Sequence, residues 1–401
     1  RRTLPPLPPR ALSPRLKSLR QRAAEAASRV RGLEWRGEVG MTELSGWEYG
    51  TRTKEIADVL GTDDLKGLSR LAVAGGMLPE GTDLASLAVS FTAATAGATY
   101  SPLDKQVLLV SERGGPRDSG LLTHEFVHAL QDQHFDLLRM MLARPFSFDR
   151  EEAAFALIEG DAVSVERRAM RGEGWARRPL EEVAREEDDR FASYRKGIGA
   201  FFPPLLTETF IFRYRDGLRF VETLRRARPA VNLNEVFRRP PVSSEQVLHP
   251  EKYLTGEGPR EVELDADEFG DEGWRLQAST PLGEIGVRGL LMAGVSADEA
   301  KRAAAGWGGD RSFVFEREGR APLFVWRTVW DGARDAQEFF RAYNEMLSRR
   351  AAPAGAEGSE GERGWREGEW LTRVRLEGDA VTVVRGSEGD SAEALRLATG
   401  R

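Results

Sequence analysis

Thr123-His124-Glu125-Phe126-Val127-His128 sets two imidazoles four residues apart with a carboxylate beside the first. In a helix, side chains at i and i+4 share a face, so both rings reach a single cation. Neutral imidazole suits zinc. A catalytic zinc takes three protein ligands and leaves one position for water, which an adjacent carboxylate such as Glu125 deprotonates as general base. The chemistry this points to is metal-assisted hydrolysis. Leu121, Leu122, Phe126, Val127, Ala129 and Leu130 supply the apolar set of a helix buried on most of its circumference. Gly114-Gly115-Pro116 is the breaker before it, Asp118 and Ser119 are candidate caps, and nothing from Gly120 to Phe135 interrupts it. A solvated histidine pair on an ordinary amphipathic helix is the competing reading, but two of the chain's four histidines fall in this one pattern.

The third ligand is sought downstream. The pattern predicts a helix from about Asp149 to Met170, on which Glu159 has Phe155 and Ala156 one turn before and Ala162 and Val163 one turn after. A carboxylate on an apolar stripe is costly unless paired with a cation or bound to a metal, which makes Glu159 the candidate. Glu151, Glu152 and Glu166 lie on the same helix as alternatives. Asp161 is a candidate for orienting a histidine ligand through its distal N–H, and Asp132 a second. Gly160 beside Glu159 costs helix stability, tolerable where another backbone must come close.

At 401 residues the chain has room for two or three domains and a sizeable core. The net charge of −6 is modest and the signs are interspersed, so no nucleic-acid partner is expected. The absence of cysteine excludes disulfides and a thiol nucleophile and leaves histidine and carboxylate as the ligand set. No apolar run reaches the length of a membrane span. With Arg1 in first place the chain reads as processed or trimmed, which leaves export open. Pro5, Pro6, Pro8 and Pro9 among basic residues predict an extended, mobile arm, and Leu16 to Val30 a charged helix, so that residues 1–32 stand apart from the domain that follows. Leu33 to Met41 reads as a short strand and Ile56 to Gly75 as a helix. Gln106 to Val110 is a strand just before the histidine helix, either pairing with an extended substrate or simply a core strand.

His124-Glu125-xx-His128 together with a downstream helical Glu159 resembles the gluzincin group of zinc metallopeptidases. The surrounding text, Leu122 to His134 and then Ala156-Leu-Ile-Glu-Gly-Asp-Ala162, is similar to uncharacterised, often exported bacterial and archaeal proteins of that type, as are Pro240 to Tyr253 and Ala305 to Arg311. The resemblance spans most of Thr95 to Tyr343. It implies a Zn2+ site at His124, His128 and Glu159 with Glu125 as base, and an exported location; it brings no known substrate, and a peptide or protein substrate is expected from the site and the resemblance together. The gap between His128 and Glu159 is longer than in many gluzincins, which bears on the third ligand.

Attack by activated water creates an oxyanion, and a donor beside the metal would stabilise it. His249 and Tyr253 are the candidates. His249 stands before Pro250, a position biased to extended backbone, and is also an alternative ligand to Glu159. His134, six positions after His128, falls off the metal face. Thr255 to Glu272 is acidic and linker-like, and beyond it helices, two hairpins (Ser312 to Phe315 with Leu323 to Val329, and Val374 with Val381 to Val384) and a helix from Asp335 to Leu347 form a smaller unit. Gly306-Trp307-Gly308-Gly309-Asp310 lacks the lysine of a phosphate loop and reads as a tight turn, and Ala354 to Glu362 reads as a mobile loop. The expectation is an α+β protein: a largely helical zincin-like domain over 33–255, an acidic linker over 256–275, and an α+β domain with antiparallel hairpins over 276–401.

Overall fold

The computed structural model describes residues 4–7, 10–111, 119–262, 264–354 and 361–400. The Gly114-Gly115-Pro116 breaker, the Asp118 cap and most of the Ala354 to Glu362 loop lie outside them. The architecture is α+β, with a small three-stranded sheet in the N-terminal part and a seven-stranded antiparallel sheet in the C-terminal part. No helix among the described residues is long and apolar enough to cross a membrane.

Ser13 caps helix α1 (Pro14–Arg31), whose Leu19, Ala23 and Ala27 are buried. After it the chain enters β1 (Gly40–Leu44), later than the Leu33 to Met41 predicted. Helices α2 (Gly46–Leu60), α3 (Asp63–Ala74) and α4 (Leu84–Thr95) follow. The predicted Ile56 to Gly75 helix is thus two, divided at Gly61, whose φ of 87° a side chain rarely adopts. Strands β2 (Ala98–Ser101) and β3 (Gln106–Val110) complete the small sheet in the order β1-β3-β2. β3 runs parallel to β1 and antiparallel to β2, so both its edges are occupied. It cannot take a substrate strand, and of the two readings of this segment the core strand holds.

Helix α5 (Gly120–Phe135) carries both histidines and packs its Leu122, Phe126, Val127, Ala129 and Leu130, each at most 1% exposed, against the small sheet and α1. Burying the Phe126 and leucine side chains contributes on the order of 2–3 kcal/mol each, so the helix position is strongly determined. A short α6 (Leu137–Met141) leads to the long α7 (Phe148–Ala176), interrupted at Gly172 (φ 68°). Next come α8 (Leu180–Lys196), a 3-10 turn (Ile198–Phe201), α9 (Pro204–Ile211), a π-helical turn (Phe212–Asp216) and α10 (Gly217–Arg226). Four short helices, α11 (Leu233–Arg238), α12 (Ser244–Leu248), α13 (Pro250–Thr255) and α14 (Asp267–Asp271), lead into the C-terminal part.

There β4 (Arg275–Thr280), α15 (Gly283–Leu291), α16 (Ala297–Ala304), β5 (Trp307–Glu316), β6 (Leu323–Trp330), α17 (Ala333–Ser348), β7 (Ala352–Pro353), β8 (Glu362–Glu367), β9 (Trp370–Glu377), β10 (Ala380–Gly386) and α18 (Glu388–Thr399) form one layered unit. The strand order is β4-β5-β6-β10-β9-β8-β7. Side chains alternate across the sheet: Phe324 and Trp326 join α3, α15, α16 and α17 on one face, and Leu323 and Val325 join α14 and α18 on the other. Burial on both faces explains the continuous apolar runs in β6 and β10. The predicted turn at Gly306 to Asp310 is instead the bulged start of β5, with Trp307 fully buried.

Two expectations about organisation are corrected by packing. The residues of the Pro-rich arm that are described lie against the protein: Leu7 packs beside Leu44 and Tyr49, Arg52 donates to Pro5 O at 2.9 Å, and Arg10 pairs with Glu48. Helix α1 belongs to the histidine-bearing core, since Arg31 at its end forms a buried ion pair with Asp161. Nor do 33–255 and 276–401 separate cleanly. Leu71 and Ala74 of α3 enter the core of the large sheet, and Arg385 of β10 donates to Ala74 O at 2.9 Å.

Candidate metal centre

α5 and α7 cross so that His124 Nε2 lies 3.0 Å from His128 Nε2 and 3.1 Å from Glu159 Oε2, with His128 Nε2 3.4 Å from the same oxygen. Among the described residues these three form the one His/Asp/Glu group compact enough to hold a metal ion. Tetrahedral ligands about 2.0–2.2 Å from zinc stand ~3.3–3.5 Å apart, so a shared ion asks for shifts of only a few tenths of an ångström. The donor chemistry fits as well. His128 Nδ1 is 2.9 Å from Gln131 Oε1, while Gln131 Nε2 donates to Ile158 O at 3.0 Å and Asp161 Oδ2 at 3.1 Å. That fixes the amide orientation and places the ring proton on Nδ1, leaving Nε2 as a lone pair facing a second imidazole nitrogen. Two such nitrogens need a cation between them or a proton on one. Burial disfavours the His124 cation, yet hydrogen bonds to Glu159 and Glu166 and the charges of Glu159 and Glu125 outweigh it and raise its pKa to about 10. Burial likewise opposes ionisation of Glu159, but the histidine charges and hydrogen bonds hold its pKa far below the usual carboxylate range.

The alternatives on α7 take other places. Glu166 Oε2 stands 3.4 Å from His124 Nδ1, behind the ring, where it orients the imidazole. Asp161 touches neither histidine. It accepts from Arg31 at 2.5 Å, Arg225 at 3.0 Å and Gln131, and so acts on His128 through Gln131. Glu152 pairs with Arg213 on both oxygens. Asp132 accepts from Tyr100 Oη and Lys105 Nζ, both at 2.7 Å, and so clamps the β2–β3 hairpin onto α5 rather than orienting a ligand.

Glu125 is 6% exposed and its Oε2 accepts from the Tyr100 N–H of β2 at 2.6 Å. Burial raises its pKa against the nearby imidazoles, which lower it. The strand beside the site is therefore β2. Glu159 and Glu166 are the more exposed members of the cluster, their side chains 17% and 21% exposed against 8% for His124 and 11% for His128.

His249 and Tyr253 are not brought to this cluster. His249 Nε2 pairs with Glu284 Oε2 at 3.0 Å, and the Tyr253 hydroxyl donates to Arg239 O at 2.8 Å while its ring packs edge-on against Phe220. The oxyanion role proposed for them, and ligation by His249, are withdrawn on these contacts. The tyrosine at the site is Tyr214, whose ring stacks on His124 with centroids 6.1 Å apart and planes 17° from parallel. Burial, then the charges of Glu159 and Glu125, push its pKa well above the usual phenol value, so its hydroxyl stays a donor. Tyr214 occupies the π-helical turn, a distortion frequent at functional sites. The turn is brought in by a backbone contact: a Cβ on Gly160 would stand 2.2 Å from Gly217 O, and one on Gly217 2.2 Å from Ala156 O. Tyr214 follows no apolar period or motif, and only its position between Arg213 and Arg215 marks it in sequence.

Comparison with known proteins touches the other end of the chain. Residues 274–396 match the model of a family described as a domain of unknown function, DUF8575. The DUF8575 match opens where the seven-stranded sheet opens and lies wholly outside the segment bearing His124, Glu125, His128 and Glu159. No curated protein and no solved structure matches the chain.

Proposed function

We propose that this protein is a zinc-dependent peptidase, with His124, His128 and Glu159 holding the metal and Glu125 as general base. The observation that carries the reading is the convergence of two imidazole Nε2 atoms and one carboxylate oxygen within 3.4 Å, one residue from a buried carboxylate. A purely structural site has no use for such a base. Zinc bound there would polarise a substrate carbonyl and acidify water. Glu125, with its second oxygen steadied by the Tyr100 amide, takes the proton of the attacking water and passes it to the leaving amine. Tyr214, whose hydroxyl is hydrogen-bonded to Glu159, would turn that hydrogen to the oxygen that gains charge during attack. Peptide as substrate is inferred from the site and the gluzincin resemblance together, with substrate profiling to separate it from another amide or ester, and an exported location from the resemblance. The test is Glu125→Gln: metal retained with peptide hydrolysis lost supports the reading, and equal hydrolysis by both proteins contradicts it.

A further inference from the structure

Five aromatic rings form a connected row that starts at the metal centre, which Tyr214 alone of the five contacts. From His124 the contacts run to Tyr214, then Phe210 of α9 at 4.8 Å, then Phe91 of α4 at 5.1 Å and Phe202 at 4.7 Å, with Tyr194 of α8 stacked on Phe210 at 5.0 Å. None of the five is fully buried, and all stand outside the buried cores of the two sheets. Phe201, next in the chain to Phe202, is 84% exposed, so the row opens to solvent at its far end. A second observation is independent of the rings. The Tyr194 hydroxyl is buried with no hydrogen-bond partner among the described residues, a donor left unpaired by the protein itself.

We propose that this row is the wall of the substrate cleft and that the site selects peptides carrying a large apolar side chain, aromatic for preference, within about three residues of the bond that is cut. Extended peptide advances about 3.3 Å per residue, so the two ring-to-ring steps from His124 to Phe210, 6.1 and 4.8 Å, correspond to about three residues. Edge-to-face and offset contacts reward an aromatic guest beyond its buried area, and an unbranched polar chain leaves the row in water. The proposal rests on the peptidase reading for its substrate.

The test separates the two. Affinities of glycine hydroxamate and phenylalanine hydroxamate are measured by calorimetry on the zinc-loaded full chain, which asks for metal binding but not for turnover. Phenylalanine hydroxamate is expected to bind at least tenfold tighter, and Phe210→Ala to cut that ratio below threefold, with Phe210→Leu between. Because each ratio is taken on one protein preparation, loss of folded material in a variant cancels. A ratio near one in the wild type, or one unchanged in Phe210→Ala, overturns the proposal even if peptides are cleaved. A wild-type ratio above ten that collapses in Phe210→Ala, without cleavage of any peptide in a mixed library, upholds the apolar wall and removes the peptidase reading. Binding of neither hydroxamate overturns both.

Discussion

At the scale of single residues, the candidate site divides into groups that would touch the proposed reaction and groups that hold them. Tyr214→Phe keeps the ring stacked on His124 and removes only the donor. It is expected to lower kcat by about 10²-fold or more with little change in metal content, measured by steady-state kinetics beside zinc analysis. Gln131 and Glu166 work from behind the histidines. Gln131→Ala leaves His128 Nδ1 without its acceptor and Glu166→Gln removes the charge facing His124 Nδ1, and each is expected to weaken zinc binding by about 10–100-fold in a chelator competition. His124 and His128 were legible because one spacing on one helix states their shared face, and Glu125 because it is the carboxylate beside the first of them. Gln131 and Tyr214 were not, since their roles come from a contact between α5 and α7 and from a π-helical turn that no local pattern announces.

At the scale of elements, the decisive feature is the crossing of α7 with the π-helical turn and α10. Gly160 and Gly217 let the two backbones touch, and no side chain fits at either position. Gly217→Ala is expected to cost about 1–3 kcal/mol, or more if the helices cannot separate, read as a drop in Tm with loss of Tyr214 from its place on His124. The need for a close backbone approach at Gly160 could be argued from its cost in a helix, but its partner could not. The same limit applies to strands. β3 was recognisable from its β-branched and leucine run, whereas its central position depends on β1 arriving parallel on its far side. That left β2 to stand beside Glu125. The hairpin β9–β10 was readable because Gly378, at a φ of 61°, marks the turn between two alternating runs.

At the scale of the molecule, buried charges bind distant segments together. Arg31 of α1, Asp161 of α7 and Arg225 of α10 meet in one network that also holds Gln131. Removing one partner strands the others, so Arg31→Ala is expected to cost about 3–5 kcal/mol in denaturant unfolding. Asp149, at the start of α7, accepts from the Ser244 amide of α12 at 2.8 Å and lies against Gly283 at the start of α15, joining the helical part to the large sheet. Burial, only partly offset by Ser244, pushes its pKa up to about 8. The folded protein thus holds a proton that the unfolded chain releases near pH 4. This contribution is full below about pH 4 and is lost as pH rises through about 8. Wild-type Tm is therefore expected to fall more than that of Asp149→Asn between pH 5 and pH 8, in thermal scans of both proteins. No sequence pattern separates such a pin from an ordinary acidic residue in a first helical turn, which is also why α1 and α3 were assigned to other neighbours than they have.

The most direct measurement of the central claim is bound zinc per chain, by mass spectrometry of metals in the purified and zinc-reconstituted protein, in the wild type and in Glu159→Ala. One zinc in the wild type, lost or strongly weakened in the variant, is the predicted result. Zinc uptake unaffected by Glu159→Ala would contradict the assignment of the third ligand, and no uptake by the wild type would contradict the metal centre itself.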